Sequence, residues 1–385
     1  MELGFSLHFN RQGMNEPIVI IGGGIAGLSL SIDLRRRGHS VNVLEKGHYP
    51  RHKVCGEYIS MESHRYLTEL CPTLLRLTLP EVTQFKLTAP GDKEFTTPLS
   101  LGGIGISRYL LEEMLFKEAQ QNGVVFITGT KVLDVQKRSD SIGNCIQTSK
   151  GMFPAALVCN ASGRQSNMSQ DKIRNRNSAT NYVGIKYHIK LKRKVSQIEI
   201  HNFPGGYCGI SAIEDDKSCL CYIVNSKKLN QVNNSIPELE RTFLFQNRHL
   251  EDIFTRAEFC FKEPITVSGI HFRIKAPATD LSFFLGDSAG SMAPITGNGM
   301  SMGLRSANFL AEQIDNHFKQ EMPLCKLRET YSHFWNNEYS SRIKLSRYLQ
   351  KLSESTFLAR KAIDLFNLCP ILAKGIIKQT HGSLF

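Results

Sequence analysis

Ile18-Val19-Ile20-Ile21-Gly22-Gly23-Gly24-Ile25-Ala26-Gly27 decides how this chain folds, because a β-branched run feeds directly into closely spaced glycines and then into a helix-like stretch, Leu28 to Arg37. A second apolar run, Val41-Asn42-Val43-Leu44, follows Gly38 and ends at Glu45. Strand, glycine turn, helix, strand and acid in that order make a dinucleotide-binding βαβ unit. Gly22 makes the tight turn, Gly24 lets backbone N–H groups approach a pyrophosphate, and Gly27 lets the helix pack close to the strand, with Ala26 in the first helical turn. Glu45 is placed to accept hydrogen bonds from ribose hydroxyls, and its charge disfavours a 2′-phosphate.

Near the other end, Leu281-Ser282-Phe283-Phe284-Leu285-Gly286-Asp287-Ser288-Ala289-Gly290 reads as a buried strand running into a Gly-Asp turn. Pro294, Gly297, Asn298 and Gly299 then open a helix expected over Met300 to Asp315, with Leu304, Ala307, Asn308 and Ala311 at helical spacing. Two glycine-rich loops, each aimed into a helix N-terminus, suit two parts of one long anionic cofactor. The combination resembles the p-hydroxybenzoate hydroxylase superfamily of FAD enzymes, whose second motif is GD followed by a PxxGxGM-like segment. That resemblance implies FAD as cofactor, with Gly286 and Asp287 at the ribityl chain. It also implies that the amides of Gly297, Gly299 and Met300 face the N1–C2=O edge of the isoalloxazine, where a helix N-terminus favours reduced flavin.

Ser107-Arg108-Tyr109-Leu110-Leu111-Glu112 resembles the superfamily's RxxLDxxL helix, with Arg108 along the FAD and Glu112 in place of the Asp. Val158-Cys159-Asn160-Ala161-Ser162-Gly163-Arg164-Gln165-Ser166 stands where the superfamily has ADGxxS, and the replacement of Asp by Ser162 speaks against NADPH use in the hydroxylase manner. Pro50-Arg51-His52-Lys53-Val54-Cys55-Gly56-Glu57 is similar to the P-x-x-K-x-C-G segment of geranylgeranyl reductases, in which the Cys lies near the flavin. The reductase resemblance makes Cys55 and Glu57 the candidate catalytic residues, with Cys55, Glu57 or water as the proton donor and flavin tuning or inert packing open for Cys55. Lys53 and Arg51 are expected to neutralise cofactor phosphate or an anionic headgroup, and His52 to be a proton source or a solvated loop histidine.

At 385 residues and 41% hydrophobic, the chain can bury large cores. Its ten cysteines follow no extracellular spacing, which points to free thiols in a reducing, cytoplasmic compartment. Cys219-Leu220-Cys221 puts two sulfurs on one strand face, but no second Cys/His pair lies nearby at ligand spacing, so no metal is expected. No segment approaches about 18 continuous apolar residues. The opening lacks an apolar signal region, and Met14-Asn15-Glu16-Pro17 reads as the natural start, with Met1 to Gly13 otherwise a disordered extension.

The formal charge of +12 raises nucleic acid as a partner, yet no base-reading module appears and none is expected. Basic residues recur instead near the end, among them Arg342, Lys344, Arg347, Lys351, Arg360, Lys361, Lys374 and Lys378, alternating with apolar residues at helical spacing. Such helices either pack on the protein with solvated charges or lie peripherally on an anionic membrane surface.

The resulting expectation is an α/β chain whose Rossmann-like FAD-binding domain (14–70, 102–180 and 268–325) is interleaved with an antiparallel β-sheet substrate domain (71–101 and 181–267) and followed by a helical C-terminal region (326–385). Strands are expected at Val82 to Leu87, Glu94 to Leu99, Tyr182 to Ile189, Gln197 to His201, Tyr207 to Ile213 and Ser218 to Val224, and a helix near Ile236 to Asn247. The tail is expected to break at Pro370, and Gln165 to Thr180 to form a mobile loop. Halogenation is not expected, because the tryptophan pair of flavin halogenases is missing and the one tryptophan is Trp335. The YxWxFP stretch of archaeal-type geranylgeranyl reductases is replaced by Gly206-Tyr207-Cys208-Gly209-Ile210-Ser211, so the substrate wall differs; Tyr207 stands over flavin or substrate, or packs in the core. The favoured function is flavin hydride transfer to a conjugated double bond of an apolar, isoprenoid- or polyketide-like molecule. The alternatives are a monooxygenase using NAD(P)H and O₂, and a non-catalytic flavoprotein docking through its basic tail. NAD(P)H, if used, visits transiently, and the electron donor stays open.

Overall fold

The computed structural model describes residues 16–138, 143–164 and 181–385. The expectations for Met1 to Gly13 and for Gln165 to Thr180 lie outside the described residues.

Strand β1 (Ile18–Ile21) is buried along its whole length and ends at Gly22, whose φ of 95° suits glycine alone, before α1 (Ile25–Arg36). Strand β2 (Val41–Leu44) returns parallel to it, with Ile18 opposite Val41 and Ile21 opposite Leu44. The chain leaves this sheet through β3 (Tyr58–Ser60), α2 (His64–Leu70), β4 (Glu81–Ala89) and β5 (Lys93–Gly105). It returns as α3 (Arg108–Gln121) and β6 (Val125–Ile127), crosses a small sheet of β7 (Val132–Lys137), β8 (Asn144–Thr148) and β9 (Gly151–Ala155), and re-enters as β10 (Leu157–Asn160).

The next strands are β11 (Tyr182–Lys190), β12 (Gln197–Phe203), β13 (Gly206–Ala212) and β14 (Ser218–Asn225). Helices α4 (Ser226–Gln231), α5 (Ile236–Phe243) and α6 (Arg248–Arg256) follow, then the edge strands β15 (Glu258–Phe259) and β16 (Ile265–Ile270). Strand β17 (Phe283–Phe284) completes the first sheet, and α7 (Gly299–Lys319), α8 (Leu324–Ser353), α9 (Thr356–Leu368) and α10 (Pro370–Thr380) end the fold.

The first sheet, in the order β17-β10-β1-β2-β6, is parallel throughout, the Rossmann-like arrangement expected. Helix α1 packs between α3 and α7, joining Leu28, Ile32, Leu111, Leu115, Leu304 and Leu310 in the main core. The second sheet runs β15-β11-β14-β13-β12-β4-β5-β3, with β16 on β11 and a single parallel pair, β12 with β4. Alternation sorts its residues by face. Ile185, Tyr187, Leu220 and Tyr222 pack under α5 and α6 against Leu239, Phe243 and Leu250, whereas Lys186, His188, Cys219 and Tyr207 look back toward the first sheet's side.

Three boundaries differ from expectation. Tyr58–Ser60, assigned above to the cofactor segment, pairs with β5 in the large sheet; at three residues it is too short to show a period. The helix expected to Asn247 stops at Phe243 and a 3₁₀ turn leads into α6. The tail breaks at Cys369 and Pro370 as expected, and again at Ser355, whose hydroxyl accepts the Leu358 N–H and starts α9.

Candidate active site

The carboxyl edge of the first sheet carries the glycine loop. Gly23 N–H donates to Glu45 Oε2 at 2.7 Å, and Gly24, the N-cap of α1, offers no side chain to the open N–H groups of the first helical turn. Space requires glycine at position 27, where a Cβ would collide with the Gly22 carbonyl, and a Cβ on Gly24 would press on Lys53 Nζ at 3.2 Å.

Around the loop three cations meet two carboxylates. Arg51 Nη1 lies 2.6 Å from Glu45 Oε1, Lys53 Nζ 3.2 Å from Glu112 Oε1, and Arg108 pairs with the same Glu112 oxygen. Burial opposes the Glu45 charge, but Arg51 and the Gly47 and Gly23 amides outweigh it and hold the carboxyl at about 2. Burial brings the Lys53 ammonium down to about 8, with Glu112 offsetting only part. Among the described residues, the Nε of Arg108 and the Nδ2 of Asn160 are buried without a hydrogen-bond partner. Orphaned donors, surplus positive charge and an uncapped helix N-terminus fit a dinucleotide such as FAD.

The second motif closes the same groove. Gly286 has φ 53°, and Asp287 pairs with Arg164 at 3.0 Å. Gly297 adopts φ 71° ahead of α7, whose N-cap Asn298 does not cap it; Asn298 Nδ2 donates instead to Thr380 O at 2.7 Å, tying this loop to the end of α10. A Cβ on Gly299 would meet nothing within 4 Å, leaving the first turn of α7 open. Met300 Sδ lies 3.8 Å from Cys55 Sγ, so the two motifs meet at the candidate catalytic thiol.

The Arg51 to Glu57 segment is stitched across the large sheet. Cys219 Sγ donates to Cys55 O at 3.1 Å, Ser211 Oγ to Gly56 O at 2.7 Å, and Lys186 Nζ to Lys53 O at 3.1 Å. Glu57, fully buried with φ 56°, anchors it. Its Oε1 accepts from Lys186 Nζ and from the Arg108 N–H at 2.7 Å, and its Oε2 from His188 Nε2 at 2.7 Å.

This corrects the expectation of Glu57 as a proton donor. Burial opposes its charge, but the His188 hydrogen bond and the Lys186 ammonium outweigh it and hold the carboxyl below the usual carboxylate range. A carboxylate that accepts three hydrogen bonds, two of them from Lys186 and His188, is disfavoured as a proton donor. Glu57, His188 and Cys219 do bring three ligand-type atoms within 4.8 Å of one another, yet the cation that balances Glu57 is Lys186.

His52 also departs from expectation: its ring packs against Tyr109, His188 and Phe261 with centroids 4.6, 5.3 and 4.9 Å away, and burial pushes it toward the neutral form. Lys186, His188 and Ser211 escaped the sequence reading. Lys186 and His188, two residues apart in the buried part of β11 ahead of the exposed Lys190, are the available signal that buried cations there need an acid.

Beyond this polar end the sheet face turns apolar. Tyr207 packs with Tyr182, Ile200, Ile223 and Ile270, and with Ile295 of the turn preceding Gly297. Among the described residues its hydroxyl is buried without a hydrogen-bond partner, and burial raises its pKa well above the ordinary value.

Residues 17–54 match the family of FAD-dependent oxidoreductases known as DAO. Over 404 residues the chain is 22% identical to the conditioned medium factor receptor 1 of Dictyostelium discoideum, covering 96% of this chain and 76% of that protein. Over 406 residues it is 22% identical to the ubiquinone hydroxylase UbiM of Neisseria meningitidis, covering 96% and 86%. Its fold matches the flavin-dependent brominase Bmp2 with a TM-score of 0.75 at 19% identity, over 96% of this chain and 94% of that one. It also matches PqsL of Pseudomonas aeruginosa, a probable FAD-dependent monooxygenase, with a TM-score of 0.69 at 16% identity, over 91% and 99%. At such identities the likeness to solved structures is one of fold. None of these four proteins is named a geranylgeranyl reductase. The chain is an FAD-dependent oxidoreductase on a fold shared with halogenases and monooxygenases.

Proposed function

We propose that the protein is a monooxygenase that hydroxylates an apolar small molecule, rather than a reductase of its double bonds. The observation that carries this reading is the setting of Glu57, whose carboxylate accepts hydrogen bonds from Lys186 Nζ, His188 Nε2 and the Arg108 N–H. Reducing a conjugated double bond takes a hydride and a separate proton, and with Glu57 engaged by Lys186 and His188 that proton has to come from the Cys55 thiol or from water. Hydroxylation also consumes a proton, but none has to be delivered to a carbon of the substrate. The hydroxylase name of UbiM and the monooxygenase description of PqsL support the same choice.

In this reading Gly22, Gly24, Ala26, Gly27 and Glu45 hold the adenosine diphosphate half of FAD, Arg108 lies along it, and Gly286 and Asp287 take the ribityl chain. Gly297, Gly299 and Met300 face the flavin edge. FAD, once bound, supplies two-electron chemistry and the transfer of one oxygen atom from O₂. The Tyr207 cluster excludes water and its free hydroxyl orients one polar group of the substrate. The balance is substrate–H, O₂, a two-electron donor such as NAD(P)H and a proton, giving substrate–OH, water and the oxidised donor.

The FAD-loaded protein, an apolar phenol and NADPH under isotopically labelled O₂ test it. Label in a new hydroxyl group is the expected result. Turnover without O₂ that saturates a carbon–carbon double bond overturns it in favour of the reductase, with Cys55 or water as the proton source.

A further inference from the structure

We infer that the outer faces of α8, α9 and α10 form a docking surface for an anionic lipid bilayer. Helix α9 is apolar on two opposite sides. Ala359, Ile363 and Phe366 turn inward onto Phe95 and Ala89 of the large sheet, whereas Phe357, Leu365 and Leu368, roughly half a turn away on the helical wheel, point out. Phe357 is 66% exposed, Leu368 84%, and Ile371 at the start of α10 78%. Tyr348 and Leu352 extend the same bare surface along the end of α8. A helix with a second apolar stripe left in solvent is unusual in a folded chain, and contiguous exposed patches of this kind mark interaction sites.

Charge selects the occupant. Arg347, Lys351, Lys361, Lys374 and Lys378 are exposed on the same three helices, and Arg360 reaches over Gly91. The two acids between residues 341 and 385 both turn to protein partners: Glu354 accepts from Tyr182 and from Asn225, and Asp364 pairs with Lys93 at 2.6 Å. A second copy of the chain meeting this surface about a two-fold axis would set cation against cation. An anionic bilayer complements both features, taking the apolar side chains below its headgroups and the cations among them.

The patch also adjoins the substrate cluster. Leu87 of β4 packs against the inner stripe of α9 on one side and the Tyr207 cluster on the other, so the helix that carries the bare surface reaches the apolar end of the site through its inner face. What docking serves, uptake of a lipophilic substrate, rests on the monooxygenase reading; the binding itself does not.

The test is sedimentation of the full-length, FAD-loaded protein with vesicles of phosphatidylcholine and phosphatidylglycerol, and with vesicles of phosphatidylcholine alone. The anionic vesicles are expected to carry the protein down, high salt to weaken this, and the double variant Leu368→Asp/Ile371→Asp to reduce it by at least about tenfold. Both side chains are exposed, so the variant is expected to keep its FAD absorbance and thermal midpoint. Wild-type protein left in the supernatant overturns the inference. So does equal sedimentation of the variant, or a dimer that the double variant converts to monomer. Vesicle binding without any oxygen-dependent product leaves docking intact and sinks the monooxygenase reading alone.

Discussion

The carboxylate of Glu57 lies 2.7 Å from Nε2 of His188, with both residues buried and 131 positions apart in the chain. Through its other oxygen Glu57 also accepts from Lys186 and from the first amide of α3. One side chain thus joins the loop after the first βαβ unit, the helix that carries Arg108 and the strand that faces the substrate cluster.

Removing that charge leaves Lys186 buried and unbalanced. Glu57→Gln is therefore expected to cost about 3–5 kcal/mol of stability, the range for breaking a buried pair from one side, measured by denaturant unfolding of the FAD-loaded protein. Adding Lys186→Met is expected to recover part of the loss, because the stranded cation goes with it. A cost below about 1 kcal/mol contradicts the buried pairing.

Much of this architecture is legible in the sequence because the relevant signals are local. The glycine turn declares itself through the run before it and the acid after it, and β11 to β14 through β-branched and aromatic residues bounded by turns. The Glu57 cluster was not legible, since its partners lie 129 and 131 residues away and are chosen by sheet register rather than by spacing. His52 was misread for a related reason: Tyr109 and Phe261, which enclose it, come from α3 and from the loop between two edge strands. The double-sided apolarity of α9 was visible as a pattern, but only packing shows which stripe the sheet covers.

Glu45 makes stability depend on acidity in a definite direction. Its carboxyl titrates at about 2 in the folded protein against 4.5 as an ordinary carboxyl, so its contribution is complete above about 4.5 and is lost as pH falls through about 2. The difference in unfolding free energy between the wild type and Glu45→Gln is expected to be constant near neutrality and to shrink on acidification below about 4.5. A difference that grows with acid reverses the sign and refutes the pairing with Arg51.

Cys55 separates the two chemistries. If the reaction is hydroxylation, Cys55→Ala keeps FAD and turns over within about threefold of the wild type, since the thiol contributes contact with Met300 and no proton. A loss of about a hundredfold with FAD retained assigns it general-acid work and returns the reductase reading.

Tyr207 offers a test in which stability and binding move in opposite directions. Among the described residues its hydroxyl is buried with no hydrogen-bond partner, a state that costs free energy in the substrate-free protein because the group has left water without replacing the hydrogen bond. Tyr207→Phe removes the orphaned group while keeping the ring that packs on Ile223 and Ile270, so the substrate-free protein is expected to gain about 1 kcal/mol in thermal or denaturant unfolding. If that hydroxyl pairs with a polar group of the substrate, the same change raises KM by about tenfold with kcat little altered, because the lost interaction is made in the ground state and the transition state alike. A stability gain with KM unchanged makes Tyr207 a packing residue of the sheet. A stability loss shows that the hydroxyl has a partner in the folded protein and removes it from the substrate site.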